Sequence, residues 1–195
     1  MPERDCDHCE TTMEANSAPV SIVLAASAFA AHKHRDQRRK GADASPYINH
    51  PIAVANVLAN EADVTDPTIL AAALLHDTIE DTDTTLEELE ATFGLRIAAI
   101  VLEVTDDKAL DKPMRKQLQI EHAATLSHAA QLVKFADKIC NVRDMNLSPP
   151  VDWSIERRAE YIAWAKQVVD QMRGASPVLE RLFDAALACG SVTPD

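Results

Sequence analysis

The residues with most chemical potential lie together in Leu74-Leu75-His76-Asp77-Thr78-Ile79-Glu80-Asp81-Thr82. A histidine and an aspartate stand side by side, and two more carboxylates follow one helical turn later. Apolar residues lead into the segment, so it reads as the end of a buried helix. Four such side chains at the edge of a core are costly unless something compensates them. A divalent metal and a phosphorylated substrate would do so. His50 upstream and Asp137 downstream complete a plausible ligand set.

Helical spacing limits what these residues can do together. Side chains four apart share a face, which places His76 over Glu80 and Asp77 over Asp81. One pair can hold a metal while the next turn presents carboxylates to a water. Imidazole and carboxylate together suit Mn²⁺, Fe²⁺, Co²⁺ or Zn²⁺ better than Ca²⁺. Without a thiolate, a closed structural zinc site is not expected. A metal so held lowers the pKa of bound water and polarises a phosphoryl oxygen. The plainer reading of His76 alone is a helix cap. The plainer reading of Asp137, between Lys134 and Lys138, is half of a surface ion pair. Leu132, Val133, Phe135, Ala136 and Ile139 around it argue for a partly buried face.

The elements that must position these residues read as helices throughout. Only 4 glycines and long alanine–leucine–isoleucine stretches disfavour sheets, and no alternating pattern stands out, so the class is all-α, a compact multi-helix bundle. Residues 1–17 read as an acidic, disordered tail, 18–190 as one domain and 191–195 as a short tail. Within the tail, Cys6-Asp7-His8-Cys9 has no second Cys/His pair to complete a zinc site and reads as two free thiols. The first helix is expected from Ser17-Pro19 to about Gln37, and the second after Pro51 with Ile52, Ala55, Leu58 and Ala59 inward. Asp66-Pro67 starts a buried helix through Leu75, and Thr85-Leu86-Glu87-Glu88 is a capping box for a helix ended by Gly94. Further helices are expected over Leu95 to Val104, from Pro113, over Ala129 to Met145, over Ser154 to Met172, and from Pro177 to about Gly190.

Composition narrows the function. The net charge of −12 opposes nonspecific binding to nucleic acid or anionic lipid. The 4% aromatic content gives few stacking platforms for single strands. No apolar run is long enough to span a membrane, no signal peptide is evident, and a reducing cytoplasm with free thiols is expected. A local basic patch, His32-Lys33-His34-Arg35-Asp36-Gln37-Arg38-Arg39-Lys40, could still hold a small phosphorylated ligand. Arg39 can stack on a base as well as pair with phosphate, and Lys40 offers a compact charge. Lys108 reads as a loop salt bridge, Tyr161 and Trp164 as core. No partner is evident for His32, His34, His122 or His128.

The order His50, His76-Asp77, Asp137 resembles the H…HD…D pattern of the HD metal-dependent phosphohydrolases. The flanking text is more specific. Tyr47-Ile48-Asn49-His50-Pro51, the segment His76 to Thr82, Val104-Thr105-Asp106-Asp107-Lys108, and Ala136-Asp137-Lys138-Ile139-Cys140-Asn141-Val142-Arg143-Asp144 look like the hydrolase domain of SpoT/RelA-type enzymes. The stand-alone small alarmone hydrolases, which include the metazoan SpoT homologue, are the closest in kind, over roughly residues 20–185. One departure is Ala44, where the family often has glycine.

That resemblance implies Mn²⁺-dependent hydrolysis of guanosine 3′-diphosphate 5′-di- or triphosphate to GDP or GTP and pyrophosphate. It implies one metal ion on His50, His76, Asp77 and Asp137, with Zn²⁺, Fe²⁺ or Co²⁺ as substitutes. Glu80 and Asp81 match the acidic pair that orients and deprotonates the attacking water. Arg39, Lys40 and Asn141 match nucleotide-contacting positions, and Lys112, Arg157 and Tyr161 match further contacts. Two rival readings remain open: a phosphohydrolase for another nucleotide, such as NADPH or a deoxynucleotide, and a non-catalytic nucleotide sensor.

Overall fold

Small polar residues start most of the helices by taking an otherwise unpaired backbone N–H onto a side-chain oxygen. In the computed structural model, which describes residues 19–189, Asp66 caps α3 (Pro67–Leu75), accepting from Thr68 N at 2.8 Å. Thr85 caps α5 (Leu86–Phe93), and the Glu88 carboxylate turns to Lys33 at the end of α1 (Pro19–Lys33). Asp111, Ser127 and Ser154 cap α7 (Lys112–Ala123), α8 (His128–Leu147) and α9 (Ile155–Asp170) in the same way. Gly94, at φ 83°, separates α5 from α6 (Leu95–Val104). The set is completed by α2 (Asn49–Asn56), α4 (Thr78–Asp81) and α10 (Pro177–Cys189). Among the described residues there is no strand, and the architecture is all-α, as the composition implies. The expected N-terminal tail with Cys6 and Cys9, the Ser17 start and the last residues lie outside the described residues.

At the centre, α3 is apolar on every side and buried from Ala71 to Leu75. It packs on α1, α2, α6 and α8. The core then runs along α8 through Leu132, Val133, Phe135, Ala136, Ile139 and Val142 to Leu179 and Phe183 of α10. Helix α8 is therefore both a core element and the carrier of Asp137.

Three sequence expectations need correction. The second helix turns His50, Val54, Val57 and Leu58 inward, while Ile52 is exposed, and its last turn, Val57–Glu61, is π-helical. Helix α1 stops at Lys33 rather than near Gln37. Backbone pairing won there over helical propensity: Tyr47 N donates to Gln37 O at 3.1 Å and Arg39 N to Ser45 O at 2.9 Å, so residues 37–47 fold back on themselves. Arg39 and Lys40 thus sit on a pinned loop, not at a helix end. Finally, His76 and Asp77 are not in one helix with Glu80 and Asp81. They form the turn between α3 and α4. There His76 Nδ1 donates to Ala73 O at 2.8 Å and Thr78 Oγ1 to Leu75 O at 2.6 Å, so side chains satisfy carbonyls that a continued helix would have used.

Candidate active site and metal centre

That turn aims His76 inward. With Nδ1 donating to Ala73 O, the tautomer is set and Nε2 is left to face the site. Nε2 is buried and without a hydrogen-bond partner. Asp77 Oδ2 lies 3.1 Å from it, near enough for charge attraction but not aligned as a directed hydrogen bond. His50, from the start of α2, brings Nε2 to 3.1 Å from Asp137 Oδ1 and 3.8 Å from Asp77 Oδ2. Asp137 Oδ1 is also 3.8 Å from His76 Nε2. The donor atoms of His50, His76 and Asp137 lie within 4.8 Å of one another, all buried, with Asp77 against them. Two imidazoles and two carboxylates converge from α2, the α3–α4 turn and α8.

The electrostatics suit a cation. Burial opposes protonation of His76, but the Asp77 and Asp137 carboxylates outweigh it and carry its pKa up to about 9. Burial likewise opposes ionisation of Asp77, and the His76 and His50 imidazoles overcome it, holding Asp77 below the usual carboxylate range. Asp137 is held low against burial by Lys138, whose Nζ sits 3.0 Å from Oδ2, and by His50. An orphaned, buried imidazole nitrogen facing two ionised carboxylates is the donor chemistry a borderline divalent ion needs.

Glu80 and Asp81, on the single turn of α4, line the same cavity of about 170 Å³. Burial first, then the Asp106, Asp77 and Asp81 carboxylates, push Glu80 up to about 7. Its Oε1 lies 3.5 Å from Arg115 and its Oε2 accepts from Asp106 N at 3.4 Å. Asp81 is held differently. Lys108 Nζ is 2.5 Å from Oδ1, as the loop salt bridge expected for Lys108, and Gln37 Nε2 donates to Oδ2 at 3.3 Å. The two acids thus stand in distinct environments: Glu80 is raised by burial and its acidic neighbours despite Arg115, and Asp81 is held by Lys108 and Gln37.

A wider cleft of about 460 Å³ opens beside this cavity, and Arg39, Tyr47, Asp81 and Asn141 line both. Arg39 pairs with Asp144, donates to Asn141 Oδ1 at 3.3 Å, and lies over the Tyr47 ring at 5.6 Å. Asn141 Nδ2 in turn donates to Asp137 Oδ1 at 2.5 Å. Lys40 and Tyr161 line the outer cleft. Lys112 and Arg157 line neither cavity. They stand over the indole of Trp153, 5.7 and 4.3 Å from its centroid, and that indole lines the cleft.

Several site residues escaped the sequence reading. The Tyr47 hydroxyl donates to Asp77 Oδ2 at 2.7 Å, and burial and that carboxylate push its pKa above the ordinary tyrosine value, so it keeps the proton it donates. Its spacing three residues before His50 was the available signal. Lys134 and Lys138 are buried, not surface partners of Asp137. Lys134 donates to Val104 O at 2.9 Å, and Lys138 lies over the Trp164 ring at 4.6 Å. His34, thought partnerless, is 1% exposed, hydrogen-bonds Gln37 Oε1 at 2.7 Å and lies against the Tyr47 ring, with centroids 4.9 Å apart.

A helical bundle that gathers His, His-Asp and Asp at the floor of one cavity is an HD-type architecture, and residues 26–166 match the HD domain family. The chain is 52% identical over 165 residues to the zebrafish (Danio rerio) guanosine-3′,5′-bis(diphosphate) 3′-pyrophosphohydrolase MESH1, covering 85% of this chain and 92% of that protein. The Homo sapiens protein of the same name is 54% identical over 158 residues, covering 81% and 88%. The solved structure of a metazoan orthologue of SpoT, described as hydrolysing ppGpp, superposes with a TM-score of 0.85 at 46% identity, covering 89% of this chain and 97% of that one. The chain belongs to the HD-domain family, in the branch that holds these guanosine-3′,5′-bis(diphosphate) 3′-pyrophosphohydrolases.

Proposed function

We propose that this chain hydrolyses guanosine 3′-diphosphate 5′-di- or triphosphate to GDP or GTP and pyrophosphate, with Mn²⁺ as its metal and the cytoplasm as its compartment. One observation carries the reading: a buried His50–His76–Asp137 cluster, with the half-buried Asp77 against it, shares a cavity with an acid whose pKa is raised to about 7. The relatives named for this activity support the substrate.

His50, His76, Asp77 and Asp137 would hold the ion. Bound there, it supplies Lewis-acid polarisation of the phosphoryl group and acidifies a water. The protein's own groups do the rest. Glu80, near neutral in pKa, takes the proton of the attacking water, and Asp81 holds that water in line. The water oxygen bonds to the ribose-proximal phosphorus, the P–O3′ bond breaks, the expelled 3′ oxygen takes up a proton from solvent, and the pyrophosphate, now carrying the water's oxygen, departs. Arg39 and Tyr161 in the outer cleft face the nucleoside, with Asn141 at the junction for the ribose. Lys40, Lys112 and Arg157 face the 5′-phosphates. None of these three cations is in an ion pair among the described residues. Lys112 is held below the ordinary lysine value by burial and by the neighbouring charges of Arg157, Lys40 and Arg115. Uncompensated cations in a chain of net charge −12 fit a polyanionic ligand.

The experiment is a nucleotide panel offered to metal-stripped protein given Mn²⁺, Zn²⁺, Mg²⁺ or Fe²⁺. Pyrophosphate release from the guanosine tetraphosphate with Mn²⁺ is expected. Turnover of NADPH or a deoxynucleotide alone would reassign the substrate, and no turnover with any metal would leave a sensor.

A further inference from the structure

The HD cluster accounts for the metal and Glu80 for a proton, but neither accounts for how Asp81 is held. Its neighbour across the cavity wall is Gln37, which lies outside the described helices between α1 and α2. The main chain there is fixed on both sides: Gln37 N donates to His34 O at 3.0 Å, and Gln37 O accepts from Tyr47 N at 3.1 Å. The side chain bridges two groups that otherwise do not meet. Its Oε1 is 2.7 Å from His34 Nδ1, and its Nε2 is 3.3 Å from Asp81 Oδ2.

This chain of contacts has one consistent direction. A carboxylate oxygen only accepts, so the Gln37 amide nitrogen must be the group facing Asp81. The amide oxygen then faces His34 and needs a donor, which sets the His34 proton on Nδ1. His34 is 1% exposed and cannot turn away, because its ring lies against Tyr47. Tyr47 in turn donates to Asp77 Oδ2. The same short segment therefore reaches the metal cluster through Tyr47 and the acidic pair through Gln37. The other tie on Asp81 comes from Lys108, whose side chain is 50% exposed and can leave for solvent or a phosphate. Gln37 is the half-buried tie, anchored to a buried ring.

We propose that Gln37, locked by His34, is a positioning residue that fixes the direction of the Asp81 carboxylate toward the attacking water. The proposal rests on the phosphohydrolase reading above. An amide with one oriented N–H leaves the other Asp81 oxygen free to aim at the water when Lys108 departs. Misplacing such a group by about an ångström costs on the order of 100-fold in rate.

The test compares wild type, Gln37→Leu, the isosteric Gln37→Glu, Asp81→Ala, and Gln37→Leu combined with Asp81→Ala. Turnover is read on whichever nucleotide of the panel the wild type hydrolyses. Gln37→Leu should lower kcat about 10- to 100-fold with KM within about 3-fold of wild type. Gln37→Glu, which keeps the volume and the His34 bond but sets a carboxylate against Asp81, should lose at least as much. In the Asp81→Ala background Gln37→Leu should have no further effect, because its action runs through Asp81. A readout free of activity accompanies these: the Gln37 side-chain amide resonances should move toward solvent values in Asp81→Ala. Unchanged kcat in both Gln37 variants at wild-type melting temperature overturns the proposal. So does full additivity in the double variant, or an amide signal indifferent to Asp81. Wild-type inactivity on the guanosine tetraphosphate with turnover of another nucleotide overturns the substrate assignment alone. Wild-type inactivity on every nucleotide overturns both.

Discussion

The Tyr47 hydroxyl donates to Asp77 Oδ2 at 2.7 Å, which ties a loop residue to a carboxylate set against the candidate metal cluster. Partners one step removed from a metal typically contribute 10- to 100-fold in affinity. Tyr47→Phe keeps the ring against His34 and beneath Arg39 and removes only the donor. Its Mn²⁺ affinity should fall about 10-fold or more with the helical content unchanged. Competition with a metal-sensitive dye reads this directly, and wild-type affinity would deny Tyr47 that part.

Occupancy of the cluster should also show as stability. A ligand at a hundred times its Kd adds about 2.7 kcal/mol to the folded state. Thermal melting with added Mn²⁺ should shift upward and return when a chelator is added. Asp137→Asn leaves the Lys138 ammonium buried beside a neutral amide and weakens the donor set, so that variant should melt lower and respond little to metal. An equal Mn²⁺ response in the variant would remove Asp137 from the set.

Glu80 gives the metal-free protein a pH signature. Its folded pKa is about 7 against an ordinary 4.5, raised by burial and then by Asp106, Asp77 and Asp81. Between those values the folded state holds a proton that the unfolded chain has released. Stability is therefore full below about pH 4.5 and declines as pH rises through about 7. Glu80→Gln, whose amide needs no proton, should be more stable than wild type by about 2 kcal/mol at pH 8 and no different at pH 4, a figure already reduced for a side chain that is 21% exposed. Denaturant titrations at the two pH values make the comparison. The same variant should lose most turnover at every pH.

What the sequence made legible follows from locality. The cluster His76, Asp77, Glu80 and Asp81 is local, and an apolar helix leading into it marks the edge of a core. Caps at Asp66, Thr85 and Ser154 are local as well, and the helix boundaries there fell within a residue or two. The break between α3 and α4 was not legible, because it depends on which side chains reach Ala73 O and Leu75 O. Nor was the end of α1, which is set by pairing between residues 37 and 47. The burial of Lys138 depends on Trp164 from another helix, and a lysine beside an aspartate looks like surface until that indole is in place.

Ala44 is a departure with a measurable cost. It adopts φ 43°, a left-handed conformation that a Cβ disfavours. Ala44→Gly should relieve that strain, and after the extra chain entropy of glycine the net gain should be about 0.5–1 kcal/mol. Because the loop also lines the outer cleft, the change in melting temperature should come with little change in kcat. A lower melting temperature would show that the surrounding contacts, not the backbone, decide the conformation.

Arg39, Tyr47, Asp81 and Asn141 form a party wall between the inner and outer chambers. Under the function proposed above, each of the four would meet the nucleoside from the outer cleft and the reacting phosphate from the inner cavity. Recognition and rate are then not separately tunable in this scaffold. A lineage that altered the wall to admit a different base would disturb the attack geometry in the same step. New substrates are most readily acquired at the outer rim, around Lys40, Lys112, Trp153 and Arg157, where a change leaves the wall standing.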